Sequence, residues 1–459
     1  MTSAKNTFAT NTVRMAKLAL PITIGQLAIV GMSVTDIIIA GRLSTDDLAA
    51  VTLGSTVFNL SIMLVIGIIL GNGPLIGQLY SAGKTRELRR QFQNCLWLCL
   101  PLGLLSSLLI GVGIFFLPQL DSPAPINNIA INYLLPMIGS AFLLPYIMAF
   151  RTTFESMGQA RTAMTFNLMG FVINIPLDYL LVMGGGGMPA LGGAGCGWAT
   201  FGVSLFIVGG EALYARRAST LQIYQLLRGG QTFDRRPIVE TLRIGLPIGG
   251  AILAEGGFFL LIPLLVAHLG AVTVSGHSVA ISFDWMMFMV PMGISQAISI
   301  LVAHELGRQR AVRARSICAT GLCLTAIIAL AQGAFVLLFR HQIAALFTPD
   351  KAVQELAASL LVYAAIFRVF DAINIGGNGA LRGYKDTRIT LVLAFVGYWL
   401  IGFPLSYSLA LTDLWGPPLG VEGFWVGMVI ALMFTSSLTG SRVYFTSQNA
   451  VLKSRAAKD

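Results

Sequence analysis

Five acidic residues, Asp36, Asp178, Glu255, Asp284 and Asp371, stand inside long apolar stretches of a 459-residue chain that is 55% hydrophobic and only 11% charged. A carboxylate in a bilayer costs ~2.5–3.5 kcal/mol or more. Several in one chain point to ions or protons bound within a membrane, and so to transport. Asp36 lies in the run GMSVTDIIIAG. Asn174 and Asp178 are four residues apart and share a helix face; Pro176 between them cannot donate to the carbonyl of Val172. With Thr200 these residues make a candidate polar cluster. If its two carboxylates approach each other, like charge and desolvation act together on their protonation, which suits reversible proton binding. A hydrogen-bonded packing cluster is the other reading.

Glu255 is followed by Gly256 and Gly257, and Asp371 by Asn374 three residues on. Such glycines let helices approach or unwind and can expose backbone oxygens to a cation. Arg368 lies three residues before Asp371 and could pair with it, so a plain buried ion pair is the rival reading there; Asp284 is more ambiguous still. Met32, Phe58, Phe154, Met157, Phe258, Trp285, Met286, Phe288, Phe367 and Phe370 are candidates for lining a cavity. Methionine surfaces adapt to varied ligands and aromatic faces attract organic cations. Each of these side chains would serve equally in packing or against lipid.

The elements that position them are membrane helices. A soluble protein carries roughly 25% charged residues, far above the 11% here. Apolar runs of spanning length, roughly 17–25 residues, are expected at 16–40, 50–80, 93–117, 130–155, 163–185, 195–216, 242–268, 278–305, 316–338, 355–379, 389–411 and 420–445. The net charge of +10 does not mark a nucleic-acid binder, because Arg and Lys alternate from loop to loop. One side collects those of 84–90, 161, 216–243, 308–315 and 382–388 and the tail; the other holds little beyond Arg42, Arg340 and Lys351. The positive-inside rule then puts both termini in the cytoplasm and requires an even number of spans. The first span, preceded by a polar segment with Arg14 and Lys17, is expected to act as an uncleaved signal-anchor.

The chain repeats itself. Leu20-Pro21-Ile22 returns as Leu246-Pro247-Ile248, an offset of 226 (247 − 21) at which Gly67 also meets Gly293 and Arg89 meets Arg315. Pro176-Leu177-Asp178-Tyr179 resembles Pro404-Leu405-Ser406-Tyr407 near the same offset. Two six-helix lobes, 1–216 and 242–459, are therefore expected about a basic cytoplasmic linker, 217–241. Parallel repeats of this kind place substrate between them near the midplane. The acids are not duplicated: Asp36 corresponds to Ile262, Glu255 to Ile29 and Asp178 to Ser406.

Enzyme signatures are weak or missing. His304-Glu305-Leu306 lacks the second histidine of a zinc-protease helix, and no GxxxxGK[ST] loop occurs. GGGG at 184–187 reads as a flexible loop. Cys95, Cys99, Cys196, Cys318 and Cys323 lack zinc-site spacing and read as small apolar residues, with no disulfide and no metal beyond a coupling Na⁺.

With LALPITIGQLAIVGMSVTDIIIAGRL in the first span, and with Asp36, Glu255 and Asp371 so placed, the chain resembles the MATE (multidrug and toxic compound extrusion) antiporters of NorM type over nearly its whole length. The resemblance implies an all-α integral membrane protein of twelve transmembrane helices in two pseudo-symmetric lobes with a central cleft. It implies export of bulky, often cationic drugs in exchange for Na⁺ or H⁺ across a bacterial inner membrane. Its partners would be small-molecule drugs, organic cations and membrane lipids, with no cofactor, nucleic acid or obligate protein partner. By this likeness Asp36, Asn174, Asp178 and Thr200 match the amino-lobe cation site, and Glu255 and Asp371 the carboxy-lobe site. Phe367 stands where the resemblance implies a tyrosine in some members, which removes one oxygen and favours protons. The rival cargo is a lipid-linked precursor moved by a flippase of related fold; such relatives usually need a cationic cavity, and the ionisable residues here are mainly acidic. A membrane enzyme or receptor is the remaining class.

Overall fold

The computed structural model describes residues 2–119, 123–185, 189–227, 233–266 and 269–456, apart from the side chains of residues 2–7 and 264. Gly186 and Gly187 of the glycine run, Arg228 of the linker and Lys458 of the tail lie outside the described residues. Among the described residues twelve helices are long and apolar enough to cross a membrane: α1 Phe8–Leu43, α2 Thr45–Ser81, α3 Thr85–Gln119, α4 Ala124–Ser156, α5 Ala160–Met183, α6 Ala194–Arg217, α7 Arg235–Pro263, α8 Ala271–Gly307, α9 Ala311–Phe347, α10 Lys351–Gly383, α11 Arg388–Leu411 and α12 Val421–Ala456. Among the described residues no strand forms. Most helices outrun their expected spans, as α1 and α9 do at both ends, because an apolar window marks the lipid-crossing turns only and polar turns extend the helix beyond them.

Local chemistry sets several joints. Ser44 alone separates α1 from α2 and accepts from the backbone N–H of Asp47, an N-cap bond. Asp47 in turn accepts from the N–H of Gly193 at 2.7 Å, which ties the start of α6 to the start of α2. Within α11, residues Phe395–Gly402 form a π-helical stretch directly ahead of Pro404. Proline has no N–H to donate back to the preceding turn, and the widened turns fall where that bond is missing.

The chain divides into two compact units, an amino unit of Ile24–Gly249 and a carboxy unit of Met1–Thr23 with Gly250–Asp459. The expected lobes are drawn by helix count, but these divisions fall inside α1 and α7. In the carboxy unit, Asn11 donates to Ser316 Oγ at 3.1 Å and Arg14 pairs with Glu305 at 3.1 Å. In the amino unit, α2 crosses the start of α7 backbone to backbone: a Cβ on Gly67 would lie 2.2 Å from Gly249 Cα, and one on Gly245 would lie 2.1 Å from the Ile68 carbonyl oxygen. Glycine is required at this crossing, as at close helix contacts in membranes generally.

Each unit has its own apolar core. Val51, Ile62, Tyr133, Leu134, Met137 and Val182 centre one part of the amino unit; Phe258, Leu360, Phe367, Tyr398, Phe424 and Trp425 centre the carboxy unit. Large apolar side chains such as Phe115 and Leu338 remain exposed, as surfaces facing lipid require.

Candidate functional site

In the amino unit the buried positions of α5 fall at Ala160, Ala163, Asn167, Gly170, Asn174, Asp178 and Val182, every third or fourth residue. The spacing that puts Asn174 and Asp178 on one face therefore also turns that face inward. Asp36 is buried on α1, and Asn174 and Asp178 are fully buried. Thr200 on α6 donates to Asp36 Oδ2 at 3.2 Å. One turn earlier, the Cys196 thiol donates to the Asp36 backbone oxygen at 3.7 Å. The structure thus brings together all four residues expected for this cluster, and adds Cys196, read from sequence as mere packing.

The cluster is short of donors. Asp36 Oδ1, both oxygens of Asp178, and the carboxamide oxygen and nitrogen of Asn174 are buried without a hydrogen-bond partner. No Lys or Arg acts on Asp36 or Asp178 among the described residues. Two carboxylates held together out of water need positive charge between them, so the donor set fits a bound cation or a shared proton.

The carboxy-unit cluster is built differently. Glu255 on α7 accepts from the Tyr398 hydroxyl at 2.9 Å, and the next residue, Trp399, donates its indole N–H to the Ala254 carbonyl at 2.9 Å. Both come from the π-helical stretch of α11, so the irregular turns aim two consecutive side chains at one turn of α7; such segments often lie at functional sites. Arg368 is buried and donates to Asp371 Oδ2 at 3.0 Å. It also pairs with the Asp284 carboxylate and donates to the Asp284 carbonyl at 2.7 Å. Asn374 accepts from Thr439 at 3.0 Å. The ion pair weighed from sequence is present, as a bridge between two acids. Two carboxylates share one guanidinium, and Glu255 adds its charge beside Asp371 without a basic partner of its own among the described residues, which leaves capacity for further positive charge.

Of the aromatic and methionine candidates, Phe154, Phe258 and Phe367 are fully buried within their units' cores, where they pack. Met32, Phe58 and Phe370 are partly buried against those cores. Trp285 is exposed, and its ring stands edge-on to Phe288 at 5.5 Å. The Arg368 guanidinium lies 5.8 Å from the Phe288 ring centre, so that aromatic face already engages a cation.

Sequence reasoning missed Tyr398, because nothing local links it to Glu255. It also passed over Glu211, an acid inside the expected span 195–216. Glu211 is fully buried on α6 with neither oxygen partnered, near the buried pair Arg151–Glu155 of α4 at 2.9 Å. The count of apolar-run acids that found Asp178 would have found Glu211 too.

Twelve spanning helices, with intramembrane acids gathered separately in each of two units, define a multi-pass membrane transporter. The chain belongs to the MatE family, whose model matches residues 21–180 and again 247–408; the second match begins 226 residues after the first, as the internal repeat does. The multidrug resistance protein PmpM of Pseudomonas aeruginosa is 36% identical over 424 residues, covering 90% of this chain and 87% of that protein. The multidrug resistance protein MdtK of Pectobacterium atrosepticum is 33% identical over 454 residues, covering 98% and 99%. The crystal structure of the eukaryotic MATE transporter AtDTX14 shares the fold at a TM-score of 0.85 and 20% identity, covering 98% of this chain and all of that one.

Proposed function

We propose that this protein is a secondary antiporter that expels hydrophobic, often cationic compounds from a bacterial cell in exchange for Na⁺ or H⁺, by alternating access. It sits in the inner membrane with both termini in the cytoplasm, the side on which Lys and Arg gather, and it moves its substrates without catalysing a reaction on them. The observation that carries this reading is the Asp36–Asp178 pair, buried, short of donors and without a basic partner. Two relatives named for multidrug resistance and aligned over most of their length support the cargo.

In this reading a coupling ion supplies the positive charge that the amino-unit acids lack. Thr200 fixes the orientation of Asp36, and Asn174 offers a carboxamide oxygen to the same space. In the carboxy unit, Tyr398 holds Glu255 while Arg368 neutralises part of the charge of Asp284 and Asp371. Coupling requires the acids to bind the ion more tightly in one conformation than in the other. A flippase handling anionic lipid head groups finds little support, because Arg368, buried in the carboxy-unit cluster, is already matched by two carboxylates.

The test is efflux of a fluorescent organic cation from proteoliposomes under a proton or a sodium gradient imposed separately, with Asp36→Asn and Glu255→Gln beside the wild type. Export driven by one gradient and lost in either variant supports antiport and names the ion. Folded protein that exports under neither gradient sinks the reading and brings lipid cargo forward.

A further inference from the structure

Cys196 shares a face of α6 with Thr200, one turn away, and meets the same aspartate. Its sulfur, an oxygen of Asp36 and an oxygen of Asp178 all lie within 4.8 Å of one another, and all three residues are buried. They come from α6, α1 and α5, so three helices converge on one point; no local motif produces the grouping. The oxygens are available: Asp36 Oδ1 and both oxygens of Asp178 have no partner. Beside them, the carboxamide of Asn174 is fully buried and unpartnered. A cysteine used only for packing would be surrounded by apolar atoms, whereas this thiol faces two carboxylates.

We infer that Asp36, Asp178 and Cys196 form a binding site for a thiophilic divalent cation, with Asn174 as a fourth, neutral ligand. Sulfur added to oxygen ligands turns selectivity away from hard ions such as Na⁺ and Mg²⁺ and toward soft ones. One sulfur beside carboxylate oxygens suits Zn²⁺ and its heavier congener Cd²⁺, whose bond to sulfur can be followed in the ultraviolet. On binding, the Sγ–H bond breaks and its proton leaves to solvent as the Sγ–metal bond forms. The thiol gives up only its long contact with the Asp36 carbonyl. Two carboxylates and one thiolate then face two positive charges, so a neutral carboxamide completes the set better than another acid would.

The experiment is equilibrium binding of Cd²⁺ to the purified full-length protein, read from the ultraviolet charge-transfer band of a cadmium–thiolate bond. In a variant with Cys95, Cys99, Cys318 and Cys323 changed to Ala, one equivalent of Cd²⁺ should bind. Asp36→Asn and Asp178→Asn should each weaken it by about tenfold or more, while excess Na⁺ should not displace it. If that background proves unstable, Cys196→Ser alone should bind one Cd²⁺ fewer than the wild type. No band, or an affinity unchanged by Asp178→Asn in folded protein, overturns the site. The measurement involves no transport, so its failure and the failure of the antiport reading are told apart.

Discussion

Arg368→Met tests the charge balance of the carboxy unit. The guanidinium is buried and serves two acids at once, Asp371 at 3.0 Å and Asp284 through both its carboxylate and its carbonyl. Removing one partner from a buried ion pair costs about 3–5 kcal/mol, because the remaining charge is left uncompensated. Here two carboxylates lose the same partner, so the upper part of that range is expected. The same reasoning supplies the control, since replacing a whole buried ion group by neutral side chains of similar shape is often close to neutral. Arg368→Met combined with Asp284→Asn and Asp371→Asn should therefore recover most of the loss. The assay is thermal unfolding in one detergent at one scan rate, since membrane proteins commonly unfold irreversibly and the apparent Tm is then a rate quantity. The expected order is wild type highest, the triple variant close behind and the single variant well below. A single variant melting with the wild type, or a triple variant melting below the single, would refute Arg368 as the charge holding those acids in place.

Three further outcomes are expected. Gly67→Ala puts a methyl 2.2 Å from Gly249 Cα, where ordinary contact starts at 3.4 Å, and should destabilise by about 1–3 kcal/mol. Gly209→Ala meets nothing within 4 Å and should stabilise by about 0.5–1 kcal/mol; melting midpoints moving together would count against the glycine crossing. Thr200→Ser keeps the hydroxyl on Asp36 and should retain export, whereas Thr200→Val removes a bond to a charged group worth about 1.5–3 kcal/mol and should impair it in the vesicle assay. Asp47→Ala leaves the Gly193 N–H without its acceptor and should cost about 1–3 kcal/mol in chemical denaturation, while Asp47→Asn should lose much less.

The parts legible in the sequence are those written in local spacing. The spanning helices were readable because each carries an apolar window of bilayer length, and Asn174 and Asp178 because a helix places residues four apart on one face. Thr200 entered as a candidate member of the same polar cluster, and a hydrogen bond to Asp36 now accounts for it. Tyr398, by contrast, reaches Glu255 across 143 residues from a π-helical stretch whose displaced register no α-helical periodicity reports. The contact of Cys196 with Asp36 was not legible because the two are distant in sequence: what a thiol faces is a property of the packed helices. The unit boundaries were hidden for a related reason, since hydropathy counts whole helices and says nothing about which half of a helix packs with which neighbours.

Those boundaries, between 23 and 24 and between 249 and 250, each fall two residues after a proline, Pro21 and Pro247, and are separated by the repeat's own 226 residues (249 − 23). Cutting the chain in its linker would therefore not release two self-sufficient halves. The first fragment would carry away residues that complete the carboxy unit, and the second would keep 235–249, which complete the amino unit. Each fragment would hold a helix end that belongs to the other unit and lack the one that belongs to its own. In the joined chain each repeat gives its leading residues to the other unit, so the repeat written in the sequence and the unit formed in space are offset from one another.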